Sequence, residues 1–254
     1  HWHLSLRRRA RPVAVGPELV QVMGVRNDFV GTLELLRNLP LFRELDRVQL
    51  EYVAAAAVER RVAAGTVLFR RGDACDGFHI IVDGRVKLTL LMPAGAEKVV
   101  EILGPGQSFG EPVMFLGKPH MLCAETLAGS LLLFVGKNAI LEVIKCNPEL
   151  ARRMLDELSQ RLYRLVADIE AYTLKNATER VTGYLLAALP EGGSPGQPTD
   201  VRLAASKSVL ASRLNITREH FSRILHELSQ AGLISVSGRN IRVLDPAALR
   251  ERNA

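Results

Sequence analysis

Cysteine is scarce in this 254-residue sequence. Cys75, Cys123 and Cys146 stand far apart, with neither zinc-finger nor redox spacing. That excludes a disulfide framework of the secreted kind and makes a reducing cytoplasm the expected compartment. Long apolar runs are missing too: nothing approaches the roughly 20 uninterrupted apolar residues of a membrane helix, so no membrane partner is expected. Also absent are a G-x-S-x-G elbow, a P-loop and an H-E-x-x-H pair. A cupin-like metal enzyme needs two or three histidines converging with a carboxylate. The β-rich stretch offers only His79 and His120, without an H-x-H pair. A protein that is not an enzyme is therefore expected.

What is present is globular in proportion, with 48% apolar and 24% charged residues. The formal net charge of +6 is unevenly spread. Residues 1–22 carry Arg7, Arg8, Arg9 and Arg11 against Glu18 alone. Residues 23–174 are close to neutral, with 18 basic and 19 acidic side chains, whereas residues 175–254 hold 11 basic against 7 acidic. A basic C-terminal module points to a polyanion. Residues 1–26 read as a leader, disordered or not native, with Met23 as the natural start. No function is assigned to it.

The texture along the chain changes twice. From Asn27 to about Ala57 the pattern is helical, broken at Pro40 and restarted by an Asp46 cap. From Val62 to Val135, short β-rich runs (Thr66–Phe69, Phe78–Val82, Val86–Leu91, Leu131–Val135) alternate with glycine turns, as in a sandwich, barrel or roll. Asp83-Gly84 and Ala94-Gly95 are hairpin turns. After Asn147-Pro148, the residues Ala151, Leu155, Leu158, Leu162, Leu165, Ile169 and Tyr172 step by alternating fours and threes. This is a thin heptad seam in a polar helix, expected to pair with a second copy. Packing on its own roll is the alternative. Another helix opens at Asn176, and residues 190–198 read as a loop.

The C-terminal stretch carries the sharpest pattern. Ser206 can cap a first helix burying Val209, Leu210 and Leu214, and Asn215 sits where a left-handed residue is wanted. Thr217 caps a second helix, whose buried stripe is Phe221, Ile224, Leu225 and Leu228. Glu219, Ser222, Arg223 and His226 fall together on its other face. Such a helix suits the major groove. Arg223 can fork onto guanine, Glu219 can accept from cytosine, and Ser222 can serve a base edge or a phosphate. Thr217 and Arg218, at the helix N-terminus, suit phosphate, and Lys207 joins the DNA-contact candidates. Leu233–Val236 and Ile241–Leu244 then flank a Ser237–Asn240 turn, a wing with Arg239 at its tip. A merely solvated charged face is the competing reading. The wing, the basic balance and the seam together favour double-stranded DNA.

Roll, long helix and winged helix, over roughly residues 30–246, resemble the CRP/FNR superfamily of bacterial transcription regulators. The resemblance implies an α+β protein with an N-terminal β-roll of the cyclic-nucleotide-binding jelly-roll type (27–148). A dimerisation helix (149–174) and a winged helix-turn-helix domain (175–254) would follow. It further implies a homodimer joined through Leu155, Leu158, Leu162, Leu165, Ile169 and Tyr172, acting on RNA polymerase as an activator. Glu219, Ser222 and Arg223 match the E-x-x-S-R triplet of the FNR branch, which implies palindromes of TTGAT-type half-sites. Arg218 departs from the usual FNR residue and looks like the cyclic-AMP receptor branch, leaving the outermost base open.

For the sensor, Gly110-Glu111 matches the Gly-Glu pair of cyclic-AMP receptors. The Arg-Ser pair that should follow falls among His120, Met121 and Leu122, with no Arg to neutralise a phosphate. These five residues outline the expected effector pocket, and the missing Arg weighs against cyclic AMP. The absence of any Cys before Cys75 weighs against the FNR iron–sulfur cluster. Thr173–Val181 (TLKNATERV) and Val113–Pro119 (VMFLGKP) look like nitric-oxide-responsive denitrification regulators, which implies haem with His79, His120 or the thiols as axial candidates. Each of these candidates has a bland alternative, and plain packing or exposure is the commoner role for such residues. A regulator gated by a cyclic nucleotide or another small molecule, and a constitutive DNA binder, remain open.

Overall fold

The structure, a computed structural model, describes residues 29–92, 95–190 and 197–252. The leader, the Asn27 helix start, Ala94 of the second hairpin turn and most of the 190–198 loop lie outside these residues. Contacts divide the chain into two units: the residues up to Ala96 with Val100–Arg161, and Leu162–Ala254 with the short stretch Glu97–Val99.

The first unit opens with α1 (Phe29–Asn38), a 3-10 turn at Pro40–Phe42 and α2 (Arg47–Ala56). Asp46 caps α2 in a reciprocal box: its carboxylate accepts from Gln49 N, and the Gln49 side chain accepts from Asp46 N. Eight strands follow: β1 (Ala57–Val62), β2 (Val67–Phe69), β3 (Gly77–Asp83), β4 (Val86–Leu91), β5 (Glu97–Leu103), β6 (Ser108–Phe109), β7 (Cys123–Thr126) and β8 (Ser130–Gly136). A six-residue helix, α3 (Glu111–Leu116), interrupts them, and α4 (Lys137–Cys146) closes the series. They form two four-stranded sheets, β1-β8-β3-β6 and β2-β7-β4-β5.

Alternation of side chains across the first sheet makes two cores. Ile81, Leu132 and Phe109 face inward and meet Phe69, Val86, Leu88 and Ala124 of the second sheet. Phe78, Ile80, Leu133 and Val135 face outward and are covered by Leu36, Phe42, Leu50, Val53, Ile140 and Val143 of the helices. The expected roll is thus present, with β1 beginning five residues before the expected change of texture at Val62.

The long helix α5 runs over Pro148–Leu174. Its opening turns bury Leu150 and Met154 in the outer core. Further along, the seam residues part company. Leu155, Leu162 and Ile169 are 62–64% exposed, whereas Leu158, Leu165 and Tyr172 are half-buried against their own chain. Val166 joins the open row. At 3.6 residues per turn a step of three residues sets the two rows roughly 60° apart around the helix, so one row is open while the other leans on its own chain.

The second unit contains α6 (Ala177–Ala187), β9 (Thr199–Arg202), α7 (Lys207–Arg213), α8 (Arg218–Gln230), β10 (Ile234–Ser237), β11 (Asn240–Val243) and α9 (Pro246–Glu251). The sheet order is β10-β11-β9, all antiparallel. Val181, Leu185, Leu210, Phe221, Ile224, Leu225, Leu228, Ile241 and Leu249 form its buried interior. The wing is in place; its third strand, β9, is an addition to the sequence reading. Among the described residues no helix is long and apolar enough to cross a membrane.

Candidate functional site

The two helices of the reader are positioned by short-range chemistry. The Ser206 hydroxyl accepts from Val209 N to start α7, and the Thr217 hydroxyl accepts from His220 N at 3.2 Å to start α8. Between them Asn215 adopts φ 58°, the one non-glycine residue in the left-handed region among the described residues. Ile216 N then bonds back to the Ala211 carbonyl at 3.0 Å. That sharp reversal lays α8 across α7, with Phe221, Ile224, Leu225 and Leu228 against the core.

The opposite face of α8 is open. Thr217, Arg218, Glu219, Arg223 and His226 are exposed and Ser222 is half-buried. Arg223 lies 3.8 Å from Glu227, and both side chains are more than half exposed. Such a surface pair is weak and leaves the guanidinium free to exchange partners. His226 is 3.0 Å from Gln230. Neither Glu227 nor Gln230 was singled out from sequence, although each sits one helical turn beyond its partner. Lys207, half-buried, begins α7. Arg239 is exposed at the wing tip, beside Gly238 at φ 60°, and donates to the Leu203 carbonyl at 2.9 Å. Glu219, Ser222, Arg223 and His226 therefore share one open face, while Arg239 is partly committed to its own backbone.

The sensor candidates lie on α3, on β3 and on the stretch before β7, and the Phe69 ring meets those of His79, His120 and Phe109. Gly110 caps α3 at φ 104°, where a side chain would be strained and its Cβ would meet the Gly77 carbonyl and Phe78 at 3.4 Å. Glu111 follows, 4% exposed, with Oε2 lacking any hydrogen-bond partner. Burial pushes its carboxyl up to about 7, against the downward pull of a Ser108 hydrogen bond and of Arg161, and with an upward push from Glu157. Ser108 Oγ also contacts Glu157 at 3.4 Å, and Arg161 forms a nearly buried pair with Glu101 at 2.6 Å. Glu111 thus faces α5 through a cluster that sequence reasoning did not assemble.

The His120 ring stacks on Phe69 at 3.6 Å, its backbone N donates to Asp73 O, and burial lowers its imidazole pKa. Leu122 packs at the edge of the inter-sheet core. Met121, expected as a pocket wall, is 64% exposed on the loop before β7. His79 lies inside the roll, where Phe134, His79 and Phe109 form one cross-strand row. Its ring stacks on Phe109 at 5.1 Å and meets Phe134 at 5.0 Å, and neither ring nitrogen has a partner. Burial, then the charges of Arg60 and His120, push His79 down to about 3, so it is neutral. Arg60, unremarked in the sequence, lies over Phe134 at 5.3 Å. Among the described residues no group of three or more His, Cys, Asp or Glu is placed to hold a metal.

A β-roll, a long helix and a winged helix with an open reading face define a DNA-binding transcription regulator. Residues 59–147 match the cyclic nucleotide-binding domain and residues 179–252 the Crp-like helix-turn-helix domain. The chain belongs to the CRP/FNR family of transcription regulators. It is 24% identical to a cyclic AMP receptor protein of Thermus thermophilus, over 85% of this chain and 97% of that one. It is 27% identical to a global nitrogen regulator of Synechococcus elongatus, over 84% and 96%. The solved structure of FixK2 from Bradyrhizobium japonicum shares the fold with a TM-score of 0.69 at 22% identity, covering 78% of this chain and 98% of that one.

Proposed function

We propose that the protein works as a homodimeric, effector-gated regulator in the cytoplasm, reading a palindrome of TTGAT-type half-sites and carrying out no catalytic step. The observation that carries this reading is the capped helix α8, which holds Glu219, Ser222 and Arg223 on one exposed face. Support for the dimer comes from the open apolar row Leu155, Leu162, Val166 and Ile169 on α5, a stripe at coiled-coil spacing that water disfavours. RNA polymerase as partner, and activation as outcome, follow from the family. Effector binding in the roll would shift a pre-existing balance between dimer arrangements and so re-aim the two recognition helices. The test is a gel shift: Arg223→Ala should abolish specific binding to a TTGAT-type palindrome and leave the dimer intact. Unchanged sequence preference in that variant would sink the assignment.

Cyclic AMP fits the sensor poorly, because the 120–122 stretch offers a neutral stacked imidazole and an exposed thioether where a phosphate needs a cation. Haem, with nitric oxide as the signal, fits the donor chemistry better. A metal binds the neutral imidazole, and His79 is held in that form with both nitrogens unpartnered. His120 is the other imidazole of the roll. An absorption spectrum of haem-reconstituted protein should show a Soret band that nitric oxide shifts and that His79→Phe loses. A flat spectrum ends this part of the reading. DNA affinity that stays constant across gases, redox states and nucleotides would make the protein a constitutive binder instead.

A further inference from the structure

The turn ahead of the recognition helix is held by side chains that reach it from elsewhere in the second unit. A helix ends with carbonyls that have no intrahelical partner. At the end of α7 those carbonyls belong to Arg213, Leu214 and Asn215, and each is met by a donor. The Tyr172 hydroxyl, from the last turn of α5, donates to the Arg213 carbonyl at 2.5 Å. Arg180, from α6, donates through Nε to Leu214 O at 2.9 Å and through Nη2 to Asn215 O at 3.4 Å. Its remaining arm, Nη1, donates to Lys175 O at 2.6 Å, at the C-terminal end of α5. One guanidinium fork thus ties the end of the long helix to the left-handed residue that aims α8.

A second tie runs in parallel. The Arg213 side chain donates through Nη2 to Asp168 and through Nη1 to the Tyr172 oxygen, both at 2.5 Å. Arg213 and Asp168 are 19% and 27% exposed, so water screens this charge-assisted pair less than a surface one. Burial raises the Tyr172 phenol, which keeps its proton for the Arg213 carbonyl. The guanidinium meets Lys175, Leu214 and Asn215 with three nitrogens held in one plane, whereas an ammonium carries its three donors on a single nitrogen.

We propose that Arg180 and the Asp168–Arg213–Tyr172 set are positioning residues for DNA reading: they fix the pose of α8 against the end of α5 without touching DNA themselves. Arg180 and Arg213 are basic side chains of a DNA-binding module, yet both are spent on its internal geometry. The inference rests on the assignment of α8 as the DNA reader. Its consequence is selective. Loosening the tie costs the base contacts, which depend on pose, and spares the phosphate attraction, which follows charge and salt.

The experiment compares wild type, Arg180→Met and Arg180→Lys by fluorescence anisotropy, each on a TTGAT palindrome and on a scrambled duplex, with a thermal melt and sedimentation for every variant. Arg180→Met should weaken palindrome binding by about tenfold and leave scrambled-duplex binding within the small change expected from one lost charge. Arg180→Lys keeps the charge but not the fork and should show most of the same loss. In an Arg223→Ala background, Arg180→Met should change nothing further on the palindrome. Equal losses on both duplexes, or no loss on either, overturn the proposal. Should Arg180→Met fail to fold, Tyr172→Phe, which removes one hydroxyl, is read by the same criterion. A wild type that does not prefer the palindrome would instead refute the reading of α8.

Discussion

The reader and the sensor handle polar side chains in opposite ways. On α8 the groups that matter are exposed, capped at the helix start and only loosely paired, as with Arg223 and Glu227. Inside the roll they are buried and left incomplete: Glu111 has an unpartnered oxygen, and His79 has two unpartnered nitrogens. An exposed polar group costs the fold little, whereas a buried orphan costs roughly 1–3 kcal/mol. The reader therefore keeps its function on the outside of a conventional apolar core. The roll carries its polar groups within the core itself, where a proton changes their cost.

The largest effect expected from that contrast lies in the reader's core. Phe221, on α8, is fully buried, and Phe221→Ala should cost about 3–5 kcal/mol. Its thermal melt should split, with the reader lost first and the roll still folded. A single transition, shifted as a whole, would mean that the two units do not melt independently and would break the comparison.

Next in size is Glu111. Its folded value of about 7 lies above the ordinary 4.5, so the folded state binds this proton more tightly. The stability that comes with its neutral form is complete below about 4.5 and is lost as pH rises through about 7. Glu111→Gln, neutral at every pH, should gain on the order of 3 kcal/mol over wild type at pH 8, and the gain should shrink to under about 1 kcal/mol at pH 5. Chemical denaturation at both pH values measures it. A gain that does not depend on pH would show that the Glu111 charge is not what the fold opposes.

The smallest expected change is at the start of α8. Thr217→Ala removes the cap on His220 N and should cost about 1 kcal/mol, read as a modest fall in the reader's melting temperature with the roll unmoved. A loss several times larger would place Thr217 in a network beyond its cap.

The same contrast explains what could be read from sequence. The reading face was legible because it is local: caps, a left-handed Asn215 and a helical stripe all fall within one short stretch. The roll was legible as a texture of short strands and glycine turns. The boundary at β1 was hidden because Ala57–Val62 continues an alanine-rich helical run. The strand β9 was hidden because TDVR is short and polar and becomes a strand only by pairing with β11. Along the seam Leu155, Leu162 and Ile169 are open while Leu158, Leu165 and Tyr172 are half-buried, a difference that the heptad spacing does not show. The state of Glu111 and the grip of Arg180 on the turn at Asn215 depend on partners distant in sequence, so no spacing rule reveals them.

We propose a DNA reader of the family type joined to a roll that does not answer to cyclic AMP. A fluorescence anisotropy titration of the full chain on an inverted TTGAT duplex, with and without saturating cyclic AMP, tests it most directly. The duplex should be bound where a scrambled one is not, with the same midpoint whether or not the nucleotide is present. Equal affinity for the scrambled duplex, or a midpoint moved by roughly tenfold or more on adding cyclic AMP, would contradict it.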